Sequence, residues 1–158
     1  MIKTIIDRIE AILTDTTFVN NCAVASEAAD FNLPQMQVVY RHMVDNIDQY
    51  PAAFVIYNGT DETVYETAGG KCLQSHIVEV GIVVQYDSPS DIETALLGYI
   101  DALRPTLNSQ IRNGSDIVEG KVLSIKRGPI AGMEEGRYMS GFSITTIVQE
   151  NTNQEAVD

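Results

Sequence analysis

The stretch Val78-Glu79-Val80-Gly81-Ile82-Val83-Val84-Gln85-Tyr86, followed after one residue by Ser88-Pro89-Ser90-Asp91-Ile92-Glu93, decides the fold. In its first part Val78, Val80, Ile82, Val84 and Tyr86 alternate with Glu79, Gly81, Val83 and Gln85, a period of two that predicts a strand with one apolar face. In its second part Ser90 reads as a helix N-cap, with Glu93 three residues on in capping-box register. Ile92, Ala95, Leu96, Tyr99, Ile100, Leu103 and Leu107 then recur at helical spacing, and Pro105 is expected to kink or end that helix. A one-faced strand running straight into a one-striped helix implies that the two bury those surfaces together.

Working outward, Ile2, Ile5, Ile6, Ile9, Ile12 and Leu13 predict an opening helix with Lys3, Asp7, Arg8 and Glu10 on its other side. Residues 14–50 read as an excursion, irregular from Asn20 to Asn32, with a short helix from about Gln35 in which Met36, Val39, Met43 and Ile47 are spaced by three and four. Ala52 to Tyr57 is a β-rich apolar run ending in the turn signal Asn58-Gly59. The acidic connection from Gly59 to Lys71 extends this hairpin through Val64 and Tyr65. Downstream, Asn113-Gly114 marks the helix exit. Val118 to Arg127 and Arg137 to Gln149 predict two closing strands, the second with Tyr138, Phe142, Ile144 and Val148 on one face. Asn151 to Asp158 reads as a polar tail. The expected fold is α+β: one domain over residues 1–150, with a roughly four-stranded, mainly antiparallel sheet and helices on one face, in the order α-β-β-α-β-β.

The opposite face of that sheet is not polar. Leu73, Ile77, Val83, Met139 and Ile147 fall on it and require a cover, either from the 14–50 excursion or from a neighbouring subunit.

The chain has 158 residues, 10 Lys and Arg against 22 Asp and Glu, and a net charge of −12. Such a charge repels phosphate backbones and anionic lipid and argues against tight nucleic-acid binding. Its longest apolar run, Ala52 to Tyr57, is far shorter than the roughly 20 residues of a membrane span. Asp7, Arg8 and Glu10 interrupt the apolar stretch a signal peptide needs, so an intracellular protein is expected, with Cys22 and Cys72 as free thiols.

No constellation predicts catalysis, and no cofactor or metal is expected. Gly69-Gly70-Lys71-Cys72 resembles the end of a phosphate loop, but the first glycine is replaced by Tyr65, the Ser or Thr by Cys72, and a strand follows. His42, Asp45 and Asp48 sit three apart, a spacing ordinary on a solvated helix face. His76 and Cys72 read as two residues of one sheet face. Asp61-Glu62 and Glu134-Glu135 read as solvated loop tips, and Asn58-Gly59-Thr60 as an Asn-Gly turn. Lys121, Lys126, Arg127 and Arg137 gather on the final hairpin, which suits salt bridges within an acidic protein or to an acidic neighbour as well as it suits a nucleic-acid patch. The long connections 58–70 and 128–136 carry Tyr65, Ile130 and Met133, apolar or aromatic residues that are costly to leave in water and are therefore expected at contacts with other subunits.

Taken together, the opening Met1-Ile2-Lys3-Thr4-Ile5-Ile6-Asp7-Arg8-Ile9, the run Tyr50-Pro51-Ala52-Ala53-Phe54-Val55-Ile56, the strand His76 to Tyr86, the helix Ser90 to Leu107 and the closing hairpin resemble the tail terminator (tail completion) family of long-tailed bacteriophages. The resemblance covers most of the chain apart from residues 14–50 and the tail. It implies a structural virion protein, not an enzyme: a homo-oligomer, a six-fold ring, that caps the tail tube, meets the neck connector and lets DNA pass without binding it. It also implies assembly in the host cytoplasm and no contact with membrane. The alternatives are another neck, head-completion or tail-tube subunit, or, in a different class, a small ligand-binding or enzymatic domain lined by Tyr57, Tyr65, Cys72 and His76.

Overall fold

In the computed structural model the described residues are 2–42, 44, 46–67, 71–110, 117–127, 133–134 and 137–153. The chain order is α1 (Ile2–Thr14), α2 (Thr16–Ala29), β1 (Val38–Tyr40), β2 (Ala52–Thr67), β3 (Lys71–Tyr86), α3 (Pro89–Gln110), β4 (Ile117–Arg127), β5 (Met133–Glu134) and β6 (Arg137–Asn153). The sheet order is β1-β2-β3-β6-β4, with β5 a short addition to β6. All pairings are antiparallel except β1 with β2, so the fold is α+β with four long strands, and the helices pack on one sheet face.

The expected strand-to-helix packing forms the core. Val78, Val80, Ile82 and Val84 of β3 are buried together with Ala53 and Val55 of β2 and Phe142, Ile144 and Val148 of β6. Against them lie Ile92, Leu96, Tyr99, Leu103 and Leu107 of α3, with Ile5, Ile9, Ile12 and Leu13 of α1 in the same cluster. Gly98 lets Leu33 come close to α3, since a Cβ there would lie 2.8 Å from its Cδ1. Arg8 closes the far end of α3 by donating two hydrogen bonds, of 3.2 and 2.8 Å, to the Gln110 carbonyl, where a helix leaves acceptors unpaired.

Several local expectations are corrected. The helix cap is Ser88 and not Ser90: its Oγ accepts from the Asp91 amide at 3.2 Å and its carbonyl from Ile92, because Pro89 fits the first helical position, where no N–H is needed. The helix also continues through Pro105 to Gln110. Asp101 and Pro105 are exposed, so the carbonyl that Pro105 cannot serve is open to water. On the buried side Thr106 Oγ1 donates to the Ala102 carbonyl at 2.7 Å.

The stretch from Asn20 onward is not irregular, because α2 covers most of it. Asp15 caps its start, its side chain accepting from the Thr16 amide at 2.6 Å. Asp30 ends it in the left-handed conformation, where the Phe31 amide reaches back to the Ser26 carbonyl. The helix expected from Gln35 is absent from the described residues there; Val38–Tyr40 instead pair in parallel with Ala52–Phe54, a use that suits their β-branched and aromatic side chains. Residues 41–50 are irregular where described. Arg41 ties this segment to α1 through Asp7, at 2.6 Å, and Glu10, and hydrogen bonds from Lys3 and Arg41 hold the Asp7 carboxyl below the usual carboxylate range.

Asn58-Gly59 is not a turn either. It sits inside β2, where Gly59 has φ +128° and the register shifts between Tyr57 and Thr60, a bulge that needs the freedom of glycine. At the other end β6 reaches Asn153, so Asn151 to Asn153 of the expected tail pair with β3; residues 154–158 lie outside the described residues.

Two predictions follow from the packing. Leu96 is fully buried whereas Leu97 is 49% exposed, so Leu96→Ala should cost about 2–5 kcal/mol in urea unfolding and Leu97→Ala within about 0.5 kcal/mol of nothing. Cys22 is a buried free thiol that burial pushes up to about 11. An unfolded chain releases that proton from about pH 8.5 upward. The stabilising contribution of the neutral thiol is therefore complete below about pH 8.5 and declines as pH rises toward 11; Cys22→Ala should flatten this part of a stability-versus-pH curve.

Candidate assembly surface

Among the described residues the sheet has no helix on one of its faces, and this is where the expected spare apolar residues lie. Ile77, Val83 and Met139 are half-buried there, while on the ladder Leu73 pairs with Asn151 and Ile147 with Ile77. The excursion supplies part of the cover, but through β1 and residue 50, because α2 packs on α3. Tyr40 stacks on Phe54 with ring centroids 5.3 Å apart, and Phe54 lies opposite Gly81, which has no side chain to resist it. The Tyr50 hydroxyl donates to the Met139 Sδ at 2.7 Å. Toward the middle of this face the strands carry Gly81, Gly141, Ser143 and Thr145. Gly141 is required by close approach: a Cβ would lie 2.9 Å from the Ile82 carbonyl oxygen.

The residues expected at subunit contacts distribute along the strands. Tyr65 falls in β2, within the register shift between Thr63 and Thr67. Lys126 pairs across from Ser143 and Arg127 from Phe142. Met133 lies opposite Tyr138 and Glu134 opposite Arg137, so part of the 128–136 connection is a small ladder on β6. Ile130 lies outside the described residues. Asp61 and Glu62 are in β2 and not at a loop tip, because the connection after Gly59 is itself paired strand, opposite Ser75 and Gln74.

The alternative enzymatic lining is brought together in part. His76 is 1% exposed at the end of the core row. Its Nδ1 shares a 2.9 Å hydrogen bond with Thr60 Oγ1, which in turn bonds the Tyr57 hydroxyl. The bulge at Gly59 makes this chain possible: residues 57 and 60 would otherwise fall on opposite faces, and the inserted residue turns both toward the core. Strand alternation alone does not reveal Thr60, because Asn58-Gly59 imitates a turn and hides the bulge that aligns it with Tyr57 and His76. The chain is a satisfied buried polar network. Cys72 pairs with Thr152 on the ladder between β3 and β6.

His42 and Asp48 are exposed on the irregular segment, and no group of three metal-ligating side chains occurs among the described residues. A separate cleft of about 430 Å³ lies between α2 and residues 32–36, lined by Phe18, Cys22, Leu33, Pro34 and Met36 among others. Its thiol is held protonated by burial, which removes it as a nucleophile at neutral pH. Among the described residues no helix is long and apolar enough to cross a membrane.

No protein-family model matches the chain, and no curated protein matches it in sequence. Among solved structures, it shares its fold with a chain in the virion of a native gene transfer agent particle, at 13% identity and a TM-score of 0.50, over 93% of this chain and 94% of that one.

Proposed function

We propose that the chain is a structural subunit of a phage-like particle, a tail terminator that closes into a homo-oligomeric ring at the head-proximal end of a tail and joins the tail tube to the neck. The observation that carries this reading is the fold held in common with a virion chain along nearly the whole of both. The sheet supports it physically. A face with half-buried Ile77, Val83 and Met139 suits contact with other protein, and the net charge of −12 suits a passage that must not retain DNA. In this reading the chain is not an enzyme, takes no cofactor, assembles in the host cytoplasm and ends in the virion.

Light scattering with negative-stain images of the purified chain tests the proposal: a ring with a central hole is expected, and a discrete monomer stabilised by a metabolite would return the enzymatic reading to the lead. The contact residues have a separate test. Replacing Ile130 and Met133 together with Ser should leave the thermal unfolding of the isolated subunit unchanged and shift sedimentation at matched concentration toward smaller species. Unchanged sedimentation removes these two residues from the interface.

A further inference from the structure

The two edges of the sheet differ in charge and are similar in length. Among the described residues β4, a strand of 11 residues, ends the sheet on one side with β6 as its one strand neighbour. On the other side β1 covers only Ala52 to Phe54, so β2 from Val55 to Thr67 has β3 as its one strand neighbour. Long unpaired edges carry backbone donors and acceptors that template a further strand. The β4 edge carries Lys121, Lys126 and Arg127 against the single acid Glu119, whereas the open part of β2 carries Asp61, Glu62 and Glu66 and no base.

We infer that β4 of one subunit pairs with the open half of β2 of the next copy of this chain, continuing the sheet from subunit to subunit. The inference rests on the assembly reading above and names the surface that would perform it. Strand direction allows it without rearrangement: β2, β3, β6 and β4 alternate antiparallel, so a following β2 in the same orientation is antiparallel to β4. The charges fix a register. Setting Lys126 opposite Asp61 brings Lys121 and Glu66 to the same end of the pairing, each beyond an irregularity of its own strand, Val122/Ser124 in β4 and Thr63/Thr67 in β2.

That register also displaces the neighbour along the strands, because Lys126 is level with Gly81 of β3, through Ser143, and Asp61 is level with Ser75. A stagger of this kind is what strand tilt in a closed sheet requires. The contact is head-to-tail, since two different edges meet, and such contacts close into rings when the rotation permits. A self-pairing of two β4 edges would instead oppose like charges.

The test is a disulfide across the proposed register. Asp61→Cys and Lys126→Cys are introduced into the full chain with Cys72→Ser, because directly opposed strand residues stand within disulfide reach. After mild oxidation of the assembled protein, non-reducing electrophoresis should show a ladder of covalent multimers, absent when Ile117→Cys replaces Lys126→Cys. Rings in the images with no ladder would overturn the edge pairing while leaving the assembly reading intact; a wild-type chain that forms no ring overturns both. A second route avoids engineered thiols: Lys121→Glu with Lys126→Glu should abolish assembly, and adding Asp61→Lys with Glu66→Lys should restore it. Failure of the fourfold variant to restore rings, with its thermal unfolding unchanged, counts against the register.

Discussion

Burial of β3 against α3 is the interaction on which the rest of the molecule depends. Val78, Val80, Ile82 and Val84 place a row of apolar side chains on one side of the central strand, and Leu96, Tyr99, Leu103 and Leu107 close over it from the helix. Neither surface is stable in water alone, and the short Asp87-Ser88 link brings them together with little loop-closure cost. The strands β2 and β6 extend the row sideways, and α1 fills the remaining width. α2 has no place on the sheet and packs on α3, with the Asn21 amide donating to Thr106 Oγ1 at 2.8 Å.

The same one-sided burial produces the surface proposed for assembly. Because the described helices lie on one face, the described residues that cover the opposite face include Tyr40 and Tyr50, and among the described residues β4 and the part of β2 beyond β1 each have one strand neighbour. A chain that completed its core on both faces would have no reason to seek neighbours. Here the apolar positions on the open face, the free edges and the split of charge between them all point outward.

Strong periodicity was legible in the sequence, and weak periodicity was not. The β3 alternation and the α3 stripe each involve five or more apolar residues in one register, and both elements stand where they are expected. The α2 helix was hidden because only Phe18 and Cys22 of it are buried; two apolar contacts among Ala, Ser and Asn make no visible stripe. The spacing of Met36, Val39, Met43 and Ile47 imitated a helix where Val38 to Tyr40 serve a parallel edge pairing that no local pattern announces. The surface was legible at the level of the face, since Ile77, Val83 and Met139 stand out from strand alternation alone. The edges were not, because the position of Lys126 relative to Asp61 depends on strand order, and the Thr60 link to His76 depends on a bulge that Asn58-Gly59 disguises as a turn.

The rungs between β3 and β6 run without interruption from Lys71 opposite Asn153 to Tyr86 opposite Tyr138, whereas β2 and β4 each carry register shifts against their inner neighbours. Mechanically this gives the subunit a stiff keel with compliant gunwales. A regular ladder resists bending along its length, while each shift concentrates twist and bend in the outer strand. Strain imposed on the wall of an assembly, by a change of curvature or by pressure from within, would be absorbed at the rims, where the inferred contact between subunits lies, and spared from the keel that holds the core.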